Sequence, residues 1–153
     1  MPHFELFSML RWLHIVCFAL GGGSAMVILV LVGFEESRED LRGLTSILWK
    51  RTTCWGFRLA FLVGLALLGW KAYAGEALMG QVWLHFKLPL AILLLVFSEM
   101  APRALANRKR GAPLLAFLLF LVTVFVSTNA AAFGVRASRA PLGPYTGTVT
   151  PDR

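Results

Sequence analysis

The sequence predicts an all-α integral membrane protein, a four-helix transmembrane bundle with a short interfacial amphipathic helix in its first loop. Two observations carry this. Apolar residues make up 58% of the 153 positions and charged residues 15%, against roughly 45–50% and about 25% in a soluble domain. The apolar residues also gather in four runs, each close to the roughly 17–25 residues that take a helix across about 30 Å of hydrocarbon. Helices are expected because lipid offers no partner to an unpaired backbone amide, and no alternating barrel pattern occurs.

The first run is Leu10–Phe34. Its "WLHIVCFAL" followed by "GGGSA" imitates a cleavable leader, but apolar sequence continues through "MVILVLVGF", so it is read as a retained span. The charged segment Glu35–Thr53 follows, with Ser37 and Asp40 in capping-box-like spacing and Leu41, Leu44 and Leu48 at helical intervals. That pattern predicts a short amphipathic helix on the membrane surface. The second and third runs are Cys54–Ala74 and Val82–Met100, joined by a nearly uncharged turn, Gly75–Gln81. A short basic connection, "APRALANRKRG", leads to the fourth run, Pro113–Phe133. The bundle therefore occupies 1–134, with spans at 10–34, 54–74, 82–100 and 113–133. The remainder, 135–153, is a Pro-, Gly- and Thr-rich tail expected to be extended.

The net charge of +7 is not a nucleic-acid footprint. The basic residues flank apolar runs, and no basic stripe with interleaved aromatics lies on a soluble face. The partners expected are a lipid bilayer and other membrane protein subunits, with no nucleic acid. The first and third loops hold eight Lys and Arg residues, and the opposite side holds five. The positive-inside rule then places both termini outside, in a membrane of the bacterial inner, cytoplasmic type. Cys17 and Cys54 sit in different runs and are not expected to bridge.

Among the ionisable residues near the outer ends of spans are His14 in the first and His85 and Lys87 in the third. With parallel first and third helices, the two imidazoles lie at nearly one depth, roughly 5 Å below the boundary. They could serve as metal ligands, clamping a haem between helices; an interfacial histidine without a ligand is the plainer alternative. Lys87 could pair with a carboxylate at the outer surface, or simply snorkel to the headgroups. Gly22, within "GGGSA", could give a macrocycle room, or let helices pack closely. Pro89 leaves the His85 carbonyl without its usual helical partner. Arg58 and Glu99 fall at similar depth and are expected to form an ion pair. Walker, Cys-x-x-Cys and His-Glu-x-x-His motifs are absent from the sequence.

The stretches "LRWLHIVCFALGGGSAM" and "VWLHFKLPLAILLLVF" resemble the small four-helix membrane proteins related to HemJ-type protoporphyrinogen oxidase and to the CopD copper-resistance membrane domain. "LHI", Leu13 to Ile15, is similar to that group's first-helix motif, and "WLHFKL", Trp83 to Leu88, to its third-helix motif. The resemblance implies a bundle carrying haem b, with functional roles for His14 and Lys87. The fourth run lacks the Glu-x-Pro motif of the HemJ type. The wider haem-binding group is therefore implied more directly than the particular oxidase.

Three functions follow as expectations. The first is a b-type haem protein with a redox or electron-transfer role. The second is a haem-free accessory subunit of a larger membrane complex. The third is copper handling at the outer face by His3, Met9, His14, Met79 and His85, since thioether and imidazole suit copper.

Overall fold

A computed structural model of the chain describes residues 2–38, 41–74 and 82–129. Those residues form four long helices: α1 (Pro2–Ser37), α2 (Leu44–Tyr73), α3 (Val82–Ala106) and α4 (Gly111–Thr128). Each includes a stretch long and apolar enough to cross a membrane. No strand occurs among the described residues. The protein is an all-α four-helix membrane bundle.

The helices form a ring. α1 packs along α2 and α3 along α4, while α2 meets α3 and α1 meets α4, so α1 and α3 stand on a diagonal. The α1–α2 hairpin is antiparallel, as its paired positions show. Glu35 meets Gly43 and Thr45, Ser24 meets Thr53, Gly21 meets Gly56, and His14 meets Ala60.

The first connection differs from its expected form. Leu44–Leu48 is helical, but it runs straight into the second span through a π-helical turn, Trp49–Thr53. No glycine or proline separates Leu44 from Cys54, so nothing in the chain breaks the helix there. Trp49 and Thr53 are both fully buried, at 0% exposure, and tie this segment to the core rather than to a membrane surface. The start of α2 is also capped differently. Gly43 takes a left-handed conformation, φ 84°, and the Glu35 carboxylate accepts hydrogen bonds from the Gly43 and Thr45 amides and the Thr45 hydroxyl. A helix start leaves orphan N–H groups that an acceptor must satisfy. Here a carboxylate from the preceding helix supplies it. Asp40, the expected cap partner, lies outside the described residues.

A second backbone repair joins α2 to α3. Pro102 lies inside α3 and has no N–H, so the Ser98 carbonyl one turn earlier loses its helical donor. Trp49 Nε1 donates to that oxygen at 3.1 Å and Cys54 Sγ at 3.3 Å. Ser46 Oγ donates to the Pro102 carbonyl at 2.8 Å. Ser98 itself is fully buried. Cys17 and Cys54 are buried free thiols. The remaining connection (75–81) and the tail (135–153) lie outside the described residues, as does the end of the fourth apolar run (130–133).

Candidate functional site

His14 stands on α1 between the outward-facing Leu13 and Ile15, and its own ring turns into the α1–α2 seam. There Nδ1 lies 2.7 Å from the Ala60 carbonyl oxygen. A carbonyl only accepts, so Nδ1 is the donor. In the neutral imidazole that fixes the proton on Nδ1 and leaves the Nε2 lone pair available. A backbone acceptor on the far nitrogen is how metal-ligating histidines are commonly oriented.

Two neighbours hold the ring in place. Phe18, one turn along α1, stacks on it with ring planes 15° apart. On α2, Gly64 offers a bare backbone: a Cβ there would stand 3.0 Å from His14 Cε1 and 3.3 Å from Nδ1. The imidazole therefore occupies the space a side chain at 64 would need. The seat has four parts: a carbonyl, an aromatic face, a glycine and the His14 backbone itself.

Lys87 on α3 is half-buried and close enough to act electrostatically on His14. His85, two residues earlier, is exposed, so the two side chains take different faces of α3, as their spacing requires. His14 and His85 stand on the diagonal helices α1 and α3. The ring held by the protein's own backbone is His14, in the α1–α2 seam, and Lys87 is the α3 residue that acts on it electrostatically.

Gly22 is buried, and Phe120 of α4 occupies the space its side chain would fill. Gly21 is similarly placed, with a Cβ there 2.7 Å from Phe57 Cδ1, and Gly56 backs directly onto the Gly21 backbone. Phe18, Phe57 and Phe120 close into one aromatic cluster with centroid separations of 4.9 to 6.0 Å. In the described structure the glycines of "GGGSA" make room for phenylalanines and for the α1–α2 contact. Just below, Ser24 Oγ reaches the Thr53 hydroxyl at 2.9 Å and the Gly21 carbonyl at 3.0 Å.

Of the remaining copper candidates, Met9 is exposed on α1, while Met79 and the His3 side chain lie outside the described residues. Among the described residues, His, Cys, Asp and Glu form no group of three or more that could hold a metal ion.

Sequence reasoning singled out neither Glu35 nor Ala60 and Gly64. Glu35 carried a signal, being an acidic residue placed to receive the start of the next helix. Ala60 acts through its backbone, which no side-chain pattern reveals.

Fold and site together define a class: a four-helix membrane bundle with a histidine seated partway along the α1–α2 seam and a lysine of α3 acting on it electrostatically. Comparison with family models, with curated proteins and with solved structures finds no match.

Proposed function

We propose that this chain is a membrane-embedded b-type haem-binding protein with a redox or electron-transfer role, and that His14 is its axial ligand. The observation that carries the reading is the Nδ1 hydrogen bond to the Ala60 carbonyl, which presents Nε2 as a fixed, neutral lone pair. The donor chemistry suits haem iron, for which a single proximal histidine is a sufficient protein ligand. Lys87 supplies a positive charge within electrostatic reach of His14, suited to a propionate. The bound haem would supply a one-electron couple, while the chain positions it, sets the ligand's tautomer and excludes water with the Phe18 stack. The outside location of both termini and a cytoplasmic-type membrane remain part of this proposal, supported by the loop charges.

An absorption spectrum tests it. The detergent-purified protein, as isolated or after haem addition, is expected to show a Soret band that His14→Ala abolishes and His85→Ala leaves largely in place. A preparation that stays colourless after haem addition would overturn the reading.

One observation favours the second reading, a haem-free subunit of a larger membrane assembly. The middle of the bundle is filled by the chain's own Phe18, Phe57 and Phe120 over Gly21 and Gly22, as suits a scaffold. Co-purification with other membrane proteins in fixed stoichiometry, from colourless material, would select it.

A further inference from the structure

The outward side of the α2–α3 seam carries a charge pair at a height where lipid chains would lie. Arg58 Nε and Nη2 donate to Glu99 Oε1 and Oε2 at 2.6 and 2.7 Å, a two-bond clasp. Both side chains are open to the surroundings, at 43% and 40% exposure. The neighbours on this face are apolar and also turned outward: Leu62 on α2, Ile92 and Val96 on α3. Trp55 lies under the guanidinium, 5.4 Å from ring centroid to Cζ.

The height follows from the helix register. Glu35 marks one level by binding Thr45, and Ala60 marks another by holding His14; along α2 these levels are about 22 Å apart. Helical side chains lean toward their own N-terminus. On antiparallel helices Arg58 therefore leans down and Glu99 up, and they meet roughly midway between the two levels.

An ion pair at that depth is expensive on a lipid-facing surface. Charged residues within membrane spans ordinarily face the bundle interior, a water-filled cavity or a partner. Glu99 takes two of the guanidinium's five N–H donors, and the clasp presents its outer edge on the open side. In hydrocarbon those groups find no water.

We propose that this face is the interface of a symmetric dimer, in which a second copy of the same chain covers the clasp. The reason is charge complementarity under the symmetry available to membrane proteins. A two-fold axis along the membrane normal keeps every residue at its own height and sets α2 of one copy against α3 of the other. Arg58 then faces Glu99 of the second copy, and Glu99 faces its Arg58. Two clasps become a closed ring of alternating charge, and the exposed edges are paired. The apolar residues Leu62, Ile92 and Val96 frame that ring as a small packed border. This inference does not depend on haem.

Reversed charges and spin labels test it in nanodiscs and in mild detergent. Wild type is expected to run as a dimer. Arg58→Glu and Glu99→Arg, each alone, are expected to shift it to monomer, because each sets like charges opposite one another. Mixed together, the two variants are expected to pair, one seam carrying two carboxylates and the other two guanidiniums. A nitroxide at Ile92→Cys, with Cys17→Ala and Cys54→Ser, guards against variants that do not fold. It is expected to give a short distance between chains, and the same label at Val122→Cys on α4 a longer one. A wild-type chain that stays monomeric at every protein-to-lipid ratio overturns the proposal. So does a dimer whose Val122 labels are closer than its Ile92 labels.

Discussion

Two levels of the α1–α2 hairpin, the closed end at Glu35 and the His14 level further along, use polar groups in opposite ways. At the Glu35 end, the buried and half-buried polar groups repair backbone. Glu35 caps α2, and Trp49 and Cys54 serve the carbonyl that Pro102 leaves without a donor. At the His14 level, one ring nitrogen is tied to a carbonyl that already belongs to a helix, and the other is left with its lone pair. The first arrangement closes on itself and contributes to stability. The second keeps one group in a defined orientation, which is what a ligand site needs. Composition does not separate these levels, since both are short polar insertions in apolar helices. Geometry does.

The sharpest way to break the contrast is at Trp49. Trp49→Ala empties a fully buried site and removes the donor to the Ser98 carbonyl. The expected loss is about 3–5 kcal/mol, the range for a large buried aromatic cut to alanine. Trp49→Phe keeps most of the volume and loses chiefly the N–H, an expected cost of about 1 kcal/mol. Unfolding in mixed micelles followed by circular dichroism measures both. A Trp49→Phe chain as stable as wild type would show that packing alone matters and that the Ser98 carbonyl needs no donor from α2.

Glu35→Gln comes next. The carboxylate accepts from two amides and a hydroxyl. An amide side chain keeps one carbonyl oxygen and exchanges the other for an NH2 that cannot accept. Hydrogen bonds to charged groups are worth about 1.5–3 kcal/mol, and a loss within that range is expected, with the melting point falling accordingly. Glu35→Asp, one methylene short, is expected to fall between. If Gln is as stable as Glu, the cap does not need the charge.

These two sites show how far the sequence could be read. The four runs were plain from hydropathy, because a helix in lipid must show its apolar residues on nearly every face. The Arg58–Glu99 pair was legible too, since matched depth on neighbouring spans can be counted along the chain. The continuity of α2 was not. The charges of Glu35–Thr53 and the spacing of Leu41, Leu44 and Leu48 read as a surface helix, whereas Trp49 and Thr53 are wholly buried. Nor could the direction of His14 be read. Depth follows from residue number, but facing depends on which neighbour lacks a side chain, and Gly64 is fifty residues away. The expectation for "GGGSA" as packing or clearance was open in the sequence; in the structure Gly22 meets Phe120.

That contact sets the third prediction. Gly22→Leu forces a branched side chain into the place of the Phe120 ring, and overpacking of this kind costs typically about 1–3 kcal/mol. Phe120→Ala in the same chain returns the space. The double variant is expected to recover part of the loss, a coupling that contacting residues show and distant ones do not. Additive losses would place the two residues out of contact.

The smallest expected change in stability carries the most information about the His14 level. Gly64→Ala adds one methyl group at a helix position where alanine is favoured over glycine by roughly 0.5–1 kcal/mol. Against that gain stands the imidazole, whose Cε1 would lie 3.0 Å from the new carbon. The ring has little freedom to retreat, because Phe18 stacks on it and Ala60 holds Nδ1 at 2.7 Å. The two effects oppose each other, so the net shift in unfolding free energy is expected to stay under about 1 kcal/mol. The ligand geometry should respond more strongly. A tilted imidazole weakens the Ala60 hydrogen bond and turns Nε2 from its set direction, and ligand orientation of this kind alters metal affinity by about 10–100-fold when its support is removed. Haem titration of the Gly64→Ala chain is therefore expected to show weaker binding and a displaced Soret maximum beside a nearly unchanged melting curve. A wild-type spectrum and affinity in that variant would mean that the glycine seat does not govern the ring, and that the His14 level stands no closer to a ligand site than the closed end does.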